Sequence, residues 1–554
     1  MTTSFSSTLR ATQLKNMSEN TLDLLVIGGG ITGSGVALDA TVRGLNTGLI
    51  DMQDFAEGTS SRSTKLVHGG LRYLKQFEVK LVAEVGKERA IVYENAPHVT
   101  SPVWMLLPIF KKGTFGKFST SIGLKVYDYL AGVRKHERRS MLNRDLTLDK
   151  EPLLKKEGLI GGGYYVEYRT DDARLTLEVI KEAAARGAKA MNYVKAEELL
   201  YDEKGIIKGV RAVDQITGDS VEIIAKKVVN AAGPWVDSIR EKDHSKKGKT
   251  LHLTKGVHIV IDGKRFPLKN AVYFDTPNHD GRMIFAIPRA GKVYVGTTDT
   301  NYKGDPLKMN MTVADRDYLL EATNGMFPSL DLTAQDIESS WAGVRPLIHE
   351  EGKDPSEISR KDEIFISESN LITIAGGKLT GYRKMAERTV DLVVSQLSKE
   401  TGQSYPSCST DKVTLSGGYF GGSDNLEKRV RELTDQGKTL GLSEDEAESL
   451  ARLYGTNVEK LFDILRYKDN KETGLSDAIF AQIEYGIEEE MVTKPVDFFI
   501  RRTGALFFNI DWVKQWKEPV INYMQTRLNW DDATKRAFAA QLDKAIEIAE
   551  KAEA

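Results

Sequence analysis

The stretch "LDLLVIGGGITGSGVALDATVRGLNTGLID", residues 22–51, decides the fold because its apolar and glycine positions change from a strand pattern to a helix pattern and back. Residues 23–27 are nearly all apolar after the first, which predicts a buried strand of the parallel type. The spacing predicts a short helix over 31–43 and a second strand over 46–50. A strand, tight turn, helix and parallel strand in this order predict a Rossmann-like α/β domain.

The glycines of this stretch are spaced as G-x-G-x-x-G, at positions 28, 30 and 33. Glycines remove Cβ atoms where the backbone approaches a pyrophosphate, and a helix N-terminus offers free N–H groups to it. Asp51 ends the second strand, where a carboxylate accepts hydrogen bonds from a ribose diol and repels a 2′-phosphate. We therefore predict a dinucleotide other than NADP, against the alternative of a purely structural turn. The residues expected to contact it here are Gly28, Gly30, Ile31, Thr32, Gly33, Asp51 and Met52.

Composition limits the class of protein. At 554 residues the chain is too long for one core, so two or three domains are expected. The net charge of −2 gives no general attraction to nucleic acid, and the single cysteine, Cys408, excludes an internal disulfide and a cysteine-rich metal site. Residues 1–20 are polar, and no apolar run approaches the roughly 20 residues that cross a bilayer. We expect a cytoplasmic protein or one that lies on a membrane surface.

The loop "DFAEGTSSRSTKLVHGGLRYL", residues 54–74, favours FAD over NAD as the cofactor. An NAD-dependent Rossmann dehydrogenase continues here with another strand and helix, whereas this loop is rich in hydroxyls, glycines and cations. A long polar loop of small residues suits FAD, which extends deep into its protein; a solvated loop is the alternative. The contacts predicted here are Thr59, Ser60, Ser61, Thr64, Lys65, Leu66, His68, Gly69 and Gly70.

Two later segments return to the same fold. "KKVVNAAGPWVD" (226–237) predicts a short strand that ends in small residues, and residues 371–397 predict a strand, a double glycine and a helix. One face of that helix is expected to carry a mostly apolar stripe of Tyr382, Met385, Ala386, Thr389, Val393 and Leu397. A helix N-terminus near 377–380 places a positive dipole end where reduced flavin carries negative charge. The cofactor contacts predicted in these and neighbouring segments are Val194, Ala232, Gly233, Trp235, Gly377, Lys378, Leu379 and Thr380.

The predicted fold is a discontinuous α/β FAD-binding Rossmann-like domain, an antiparallel β-rich substrate domain and an all-α C-terminal domain. Alternating patterns such as "VHIVI" and "KVYVGTT" indicate the antiparallel sheet. The predicted divisions are an N-terminal polar segment (1–20), an FAD-binding domain within 21–400 (about 21–100, 151–250 and 350–400), an inserted substrate domain (about 101–150 and 251–349), a linker (401–423) and a helical C-terminal domain (424–554).

Eight motifs, in order, closely resemble those of the bacterial FAD-dependent glycerol-3-phosphate dehydrogenases, within the glycine oxidase and D-amino-acid oxidase fold group. The resemblance covers roughly 20–550, and any single motif is far less specific than the ordered set. The motifs are "GGGITGSG", "GTSSRSTKLVHGGLRYL", "YRTDDARL", "NAAGPWVD", "KGVHIV", "GTTDT", "WAGVRPL" and "GGKLTGYRK".

This resemblance implies oxidation of sn-glycerol 3-phosphate to dihydroxyacetone phosphate, with hydride passing to flavin N5. A dianionic phosphate needs fixed cations, and we expect Arg72 and Lys378, helped by Tyr73, to bind it. Arg345 is expected to orient the substrate hydroxyl or to stabilise developing alkoxide charge. Thr298 and Asp299 are expected to line the pocket.

A histidine suits the catalytic base best near neutral pH. His68 lies between two flavin-loop motifs and is the first candidate, and His258, on an alternating strand, is the second. A satisfied structural histidine remains the alternative for each.

The electron acceptor is expected to be a membrane quinone. Oxidases of the family carry an extra segment between the "WAGxRPL" and "GGKxT" motifs, whereas only a short connection, 348–375, joins them here. The alternatives are an oxygen-reducing glycerophosphate oxidase, an amine or amino-acid oxidase, and a non-catalytic nucleotide-binding protein.

Residues 111–139 suggest how a quinone in a bilayer is reached. They contain eight Lys or Arg against two acidic residues, interleaved with aromatic side chains, which is typical of the surface of an anionic bilayer. A solvated basic face is the alternative. We therefore expect peripheral association with the inner face of the cell membrane; a homodimer is a further expectation that the sequence does not decide.

Overall fold

The computed structural model describes residues 5–67, 79–111, 113, 138–277, 280–350 and 361–553. Within these residues the chain forms two large sheets and a C-terminal group of helices. None of the helices in this part of the chain combines the length and the apolar character that a bilayer crossing requires.

The first sheet has a parallel centre, with strands in the order β17-β18-β10-β1-β2-β7. Strands β18, β10, β1, β2 and β7 pair in parallel, β17 adds an antiparallel edge, and β8 and β9 extend β10 as an antiparallel ribbon. The strands are β1 (Leu22–Ile27), β2 (Thr47–Ile50), β7 (Lys189–Met191), β8 (Val194–Tyr201), β9 (Ile207–Asp214), β10 (Ser220–Asn230), β17 (Glu363–Ile366) and β18 (Ile372–Ala375).

Helices cover this sheet, which explains why its central strands are apolar throughout. Helix α2 (Ile31–Val42) follows the glycine turn and packs against α5 (Asp172–Ala185) and α8 (Tyr382–Thr401). The apolar stripe predicted on α8 is confirmed as buried, and its members are Tyr382, Met385, Ala386, Thr389, Val393 and Leu397.

Residues 5–19 of the predicted polar N-terminal segment pack onto the same domain. Helix α1 (Arg10–Glu19) buries Leu14 and Met17, and Phe5 stacks on Phe55 with ring centroids 5.5 Å apart. The remaining helices before the C-terminal region are α3 (Val79–Asn95), α4 (Arg144–Lys150), α6 (Val236–Lys242) and α7 (Val313–Met326).

The second sheet runs β15-β11-β14-β13-β12-β4-β6-β3, with β16 paired to β11 and β5 paired to β6. All of its pairs are antiparallel except β4 with β12. The strands are β3 (Leu66–Val67), β4 (Thr100–Phe110), β5 (Ser140–Asn143), β6 (Leu159–Thr170), β11 (Lys249–Asp262), β12 (Ala271–Asp275), β13 (Met283–Arg289), β14 (Lys292–Gly296), β15 (Thr300–Asn301) and β16 (Ile337–Glu350).

The predicted domain division needs correction at β6 and at the short strand β3 that pairs with it. Strand β6 lies in the range assigned to the FAD-binding domain, yet it pairs with β4 along its length and belongs to the second sheet. The reason is non-local: β6 finds its partner about 60 residues earlier in the chain, and no local pattern specifies that pairing.

The C-terminal region is helical and packs on the second sheet, where Phe507 and Phe508 contact the Trp341 ring at centroid distances of 5.3 and 5.7 Å. A π-helix, Asp497–Arg502, interrupts the α-helices. The α-helices are α9 (Leu426–Thr439), α10 (Glu444–Tyr454), α11 (Val458–Tyr467), α12 (Asp477–Glu489), α13 (Ala505–Phe508), α14 (Ile510–Leu528) and α15 (Asp532–Glu550).

Residues 401–423, predicted as a linker, contain no α-helix beyond the end of α8 and lie against the first domain. The Leu415 N–H donates to the carbonyl of Asn95 at 2.9 Å, and Val413, Leu415 and Phe420 are buried. This segment is therefore a packed connection.

Candidate active site

A cavity of about 680 Å³ lies between the two sheets. Its walls include the carboxyl ends of parallel strands β1, β2, β10 and β18, the edge at which open α/β sheets bind ligands. The residues that end or follow these strands in the cavity wall are Ile27, Asp51, Ala231 and Ala375.

The glycine turn forms one end of this wall and needs its missing Cβ atoms. A Cβ on Gly28, whose φ is +111°, would lie 2.5 Å from the Ala231 carbonyl oxygen, and one on Gly33 would lie 1.9 Å from the Gly28 oxygen. Gly30 precedes α2, and the Ile31 N–H at the helix start donates to Ser60 Oγ at 2.9 Å. Gly28, Gly30, Ile31 and Thr32 line the cavity, whereas Gly33 lies behind the turn and permits the close packing of helix on strand.

Asp51 also lines the cavity, as the sequence predicts for a ribose-binding acid. Its Oδ2 accepts from the Gly29 N–H at 2.6 Å and its Oδ1 from the Gln53 N–H at 2.8 Å. Burial raises the pKa of Asp51 to about 7, although these two hydrogen bonds lower it. The two hydrogen bonds therefore fix the carboxyl group in position, and its pKa lies close to physiological pH.

The loop that follows Asp51 divides between the cavity and the protein interior. Of the predicted contacts, Met52, Thr59, Ser60, Thr64 and Leu66 line the cavity, and Ser61 does not. His68, Gly69, Gly70, Arg72 and Tyr73 lie outside the described residues.

Lys65, predicted as a cofactor contact, does not line the cavity. Its ammonium binds Asp172 Oδ1 at 2.6 Å and the Ser61 carbonyl at 2.9 Å, and both charged side chains are almost fully buried. A buried ammonium needs a partner, and Asp172 supplies it from the start of α5. The structure therefore corrects the prediction: Lys65 holds the loop from behind.

Arg345 comes from β16 on the opposite wall. Its guanidinium donates to Thr297 Oγ1 at 3.1 Å and lies 3.4 Å from Asp299 Oδ1, and about 29% of the side chain is exposed. Gly256 leaves room for this group, because a Cβ there would lie 2.6 Å from the Arg345 guanidinium.

Thr298 is a second correction. It was predicted to line the pocket, but its side chain is 2% exposed and its hydroxyl accepts from the Val257 N–H at 3.0 Å. Asp299, the other residue predicted to line the pocket, does line the cavity, and so does Thr297. The motif alone does not reveal which of these side chains faces the cavity, because the three residues lie between β14 and β15 and outside any regular strand.

His258 projects from β11 into the cavity wall. Its Nε2 lies 3.1 Å from Thr64 Oγ1, and its ring stacks on Trp341 at 4.7 Å. Burial, and then the positive charges of Arg345 and Lys65, hold the pKa of His258 well below 6.5. The imidazole is neutral near pH 7, and its Nδ1 has no hydrogen-bond partner among the described residues.

Lys378 lines the cavity between the two walls, next to Gly377, Leu379 and Thr380, which were also predicted contacts. The predicted helix start near these residues is displaced: a 3₁₀ turn, Leu379–Gly381, comes first and α8 begins at Tyr382. Leu379 and Thr380 of this turn line the cavity, so the start of the helix still lies at the cavity wall.

The predicted contacts from the middle of the chain also meet here. Val194, Ala232, Gly233 and Trp235 line the cavity beside the first-sheet strand ends. Gly233 has a φ of +54°, and the 3₁₀ turn Gly233–Trp235 leads into α6.

Several cavity residues were missed by the sequence reasoning. Tyr165, Tyr273 and Phe285 come from β6, β12 and β13, and the rings of Tyr273 and Phe285 stack at 4.2 Å. The alternation of "AVYF" and "RMIFAI" indicates which side chains share a face but not which face lines a cavity. Arg62, in the middle of the hydroxyl-rich loop, was also missed and lines the cavity.

Comparison with known proteins agrees with this geometry. The model of the FAD dependent oxidoreductase family matches residues 23–383, and a model described as the C-terminal domain of alpha-glycerophosphate oxidase matches 408–535. The aerobic glycerol-3-phosphate dehydrogenase of Bacillus subtilis is 61% identical over 544 residues, covering 98% of each chain. The chain belongs to the aerobic glycerol-3-phosphate dehydrogenase family.

Solved structures extend the comparison within and beyond this family. The glycerol-3-phosphate dehydrogenase of Bacillus halodurans, solved as a complex with FAD, is 54% identical with a TM-score of 0.86 and covers 99% of each chain. The L-alpha-glycerophosphate oxidase of Mycoplasma pneumoniae, at 16% identity and a TM-score of 0.55, covers 70% of this chain and 97% of its own. That similarity extends to the fold alone. The predicted three-part fold and the FAD cofactor are confirmed.

The residues present fit FAD. The glycine turn has no room for a Cβ at Gly28 or Gly33, the cavity runs from that turn to the second sheet, and its walls offer hydroxyls and cations along the way. Gly28, Gly30 and Asp51 suit the adenosine and pyrophosphate end, and the backbone near Lys378 suits the flavin end. The protein is an FAD-dependent oxidoreductase.

Proposed function

We propose that this enzyme oxidises the secondary alcohol of sn-glycerol 3-phosphate to dihydroxyacetone phosphate and passes the electrons to a membrane quinone. The relatives' names support the substrate. The observation that carries the proposal is that Arg345 and Lys378 line the same cavity as the glycine turn, although they lie 33 residues apart on different elements.

The phosphate gives these cations their proposed role. A dianion inside a cavity needs fixed positive charge, and an arginine fork binds two of its oxygens at once. We assign Lys378 to the phosphate together with Arg72 and Tyr73 of the preceding loop. Arg345 is assigned to the hydroxyl end, where it orients the substrate and stabilises developing alkoxide charge.

Bound FAD supplies the redox chemistry by accepting the C2 hydrogen as hydride at N5. The protein has three further tasks: it holds the alcohol in place, excludes water with the apolar and aromatic walls of the second sheet, and accepts the hydroxyl proton.

A neutral histidine suits the proton acceptor. Among the described residues His258 meets this requirement, because its imidazole is unprotonated near pH 7 and it lines the cavity. Burial is the main cause of its low pKa, and the positive charges of Arg345 and Lys65 add to it. A substrate dianion in the same cavity offsets part of this positive charge, so substrate binding raises the pKa of the base. His68 stays the alternative assignment.

The short connection between β16 and β18 supports the quinone rather than oxygen as acceptor, as does the relatives' description as aerobic dehydrogenases. We propose further that the basic stretch 111–139 brings the enzyme to an anionic bilayer from the cytoplasmic side; all of it except residues 111, 113, 138 and 139 lies outside the described residues. The match of residues 408–535 to an oxidase C-terminal domain makes the oxygen-reducing reaction the second candidate.

Steady-state turnover separates the two candidates. The purified holoenzyme is given glycerol 3-phosphate with either a soluble quinone analogue or dissolved oxygen, and dihydroxyacetone phosphate, reduced quinone and hydrogen peroxide are measured. We expect quinone-dependent product with little peroxide. Stoichiometric peroxide with oxygen, and no stimulation by quinone, would establish the oxidase instead.

Flotation with liposomes tests the membrane proposal. Vesicles with anionic lipid at low salt are expected to carry the enzyme upward, whereas vesicles of neutral lipid are not. Enzyme that stays in the soluble fraction with both kinds of vesicle contradicts the proposal.

A further inference from the structure

The loop 51–57 is attached to the glycine turn by two hydrogen bonds. Asp51 Oδ2 accepts from the Gly29 N–H at 2.6 Å, and the Ala56 N–H donates to the Gly29 carbonyl at 3.1 Å. Asp51, Met52, Gln53 and Glu57 of this loop line the cavity. A shift of the loop therefore moves both the glycine turn and the cavity wall.

The other side of the loop is held by the C-terminal domain. Asp54 is fully buried, and its Oδ2 accepts from Arg501 Nε at 2.5 Å and from Arg502 at 2.6 Å. Its Oδ1 accepts from Arg502 at 2.9 Å and from Asn192 at 2.8 Å. Both arginines belong to the π-helix Asp497–Arg502 and are themselves buried.

Arg501 reaches further toward the cavity than Arg502. Its guanidinium also donates to Asp497 at 2.9 Å and lies 3.5 Å from Glu57 Oε2, which belongs to a cavity-lining residue. The Arg501 side chain thus connects the helical domain to Asp54, on the interior side of the loop, and to Glu57, on its cavity side. Placing adjacent guanidinium groups and several carboxylates in the interior is costly unless their geometry is well satisfied.

We propose that Arg501 and Arg502 are positioning residues for the dinucleotide site, so that the C-terminal helical domain sets the affinity for FAD. Neither arginine is among the residues that line the cavity. They act through Asp54 and Glu57, by fixing the loop that holds the glycine turn. This inference rests on the placement of FAD at the glycine turn, and it gives the C-terminal domain a function that no sequence motif indicates.

The test compares two buried cations that bridge the same two domains. Lys181, on α5, binds Glu490 at 2.9 Å and the Tyr485 hydroxyl at 2.7 Å, and it has no hydrogen bond or ion pair with loop 51–57. Arg501→Met and Lys181→Met each remove one such cation. Apoprotein of each variant is titrated with FAD, and thermal unfolding of the same apoprotein measures stability.

We expect the FAD Kd of Arg501→Met to rise about tenfold or more, which is the change expected when support for a binding loop is removed. Lys181→Met is expected to lose comparable thermal stability while its FAD Kd changes by less than about twofold, because Lys181 reaches the loop only through Glu490, whose carbonyl accepts from Arg502 at 2.7 Å, whereas Arg501 binds Asp54 directly. Equal changes in Kd, or no change in either, would overturn the proposal.

If Arg501→Met does not fold, Arg501→Lys keeps the charge and loses the fork. The Kd of Arg501→Lys for FAD is expected to be higher than that of the wild type. Amide exchange in residues 54–57 is expected to be faster. Wild-type Kd and wild-type exchange would contradict the proposal. At saturating FAD, kcat with glycerol 3-phosphate is expected to return close to wild type; a wrong substrate assignment would abolish turnover in every variant and leave the Kd comparison intact.

Discussion

The two walls of the cavity are built by different means. The first-sheet wall is mostly backbone: a glycine turn, strand ends and the start of α2, where Gly28 and Gly33 have no space for a Cβ. The second-sheet wall is made of side chains such as His258 and Arg345 that come from the antiparallel pair β11 and β16. A backbone wall binds the part of a ligand that a whole fold group shares, whereas a side-chain wall sets what one enzyme does.

The largest expected effect tests the backbone wall. In Gly33→Ala the new Cβ meets the Gly28 oxygen at 1.9 Å, so the turn must open and FAD content should fall below about a tenth of wild type. Absorbance of the purified protein measures this content. Gly187→Ala is the matched control, because Gly187 has a φ of +108° with nothing within 4 Å; it carries backbone strain alone and should keep its flavin. A yellow Gly33→Ala protein would show that the turn does not hold the cofactor.

The side-chain wall should respond in the opposite way, losing turnover while keeping FAD. In Arg345→Ala we expect kcat/KM to fall by about 10³-fold, the loss typical of removing a donor that stabilises charge in the transition state. Arg265→Ala serves as control, since Arg265 pairs with Asp336 on the surface of the same domain. If Arg345→Ala lost its flavin, or kept near-normal kinetics, the claim that the second-sheet wall controls turnover and not FAD binding would be wrong.

The pH dependence of His258 sharpens the same comparison. Because its folded pKa lies below 6.5, the neutral base persists under mild acid, and kcat/KM should stay level through pH 6.5 and decline only below it. As pH falls, His258 takes up a proton in the unfolded state before it does so in the folded state. His258 therefore lowers the free energy of unfolding below pH 6.5.

His258→Gln should lower kcat by about 10²-fold and abolish that acid limb. Unfolding by denaturant serves as control, to show that the variant is folded at each pH. Retention of the limb in His258→Gln, with its loss in His68→Gln, would transfer the role of base to His68.

The smallest effect returns to the backbone wall. The folded pKa of Asp51 is about 7 against 3.8, so the native apoprotein holds a proton that the unfolded chain has released, and stability from this group falls as pH rises from 3.8 toward 7. Asp51→Asn should flatten that dependence and weaken FAD binding. Chemical denaturation of apoprotein across this range measures the slope, and an unchanged slope would show that the carboxyl group is ionised throughout.

The same division explains what the sequence predicts well. The glycine turn, α2 and the buried stripe of α8 follow from local rules, and all of these predictions match the structure. The motifs do not show where the side chains of Lys65 and Thr298 lie. The Lys65 ammonium is paired with Asp172, more than 100 residues away in the chain, and the Thr298 hydroxyl faces inward and accepts from the Val257 N–H. The aromatic face of β6, β12 and β13 depends on strand pairing, which alternation alone does not specify.

The central claim is that one cavity holds FAD beside a phosphorylated alcohol. Anaerobic mixing of the holoenzyme with glycerol 3-phosphate or with glycerol, followed by the absorbance of the bound flavin, tests it directly. We expect rapid bleaching by glycerol 3-phosphate and far slower bleaching by glycerol at equal concentration, because the cations have no phosphate to bind. Equal rates with the two alcohols, or a flavin that neither of them bleaches, would contradict the account.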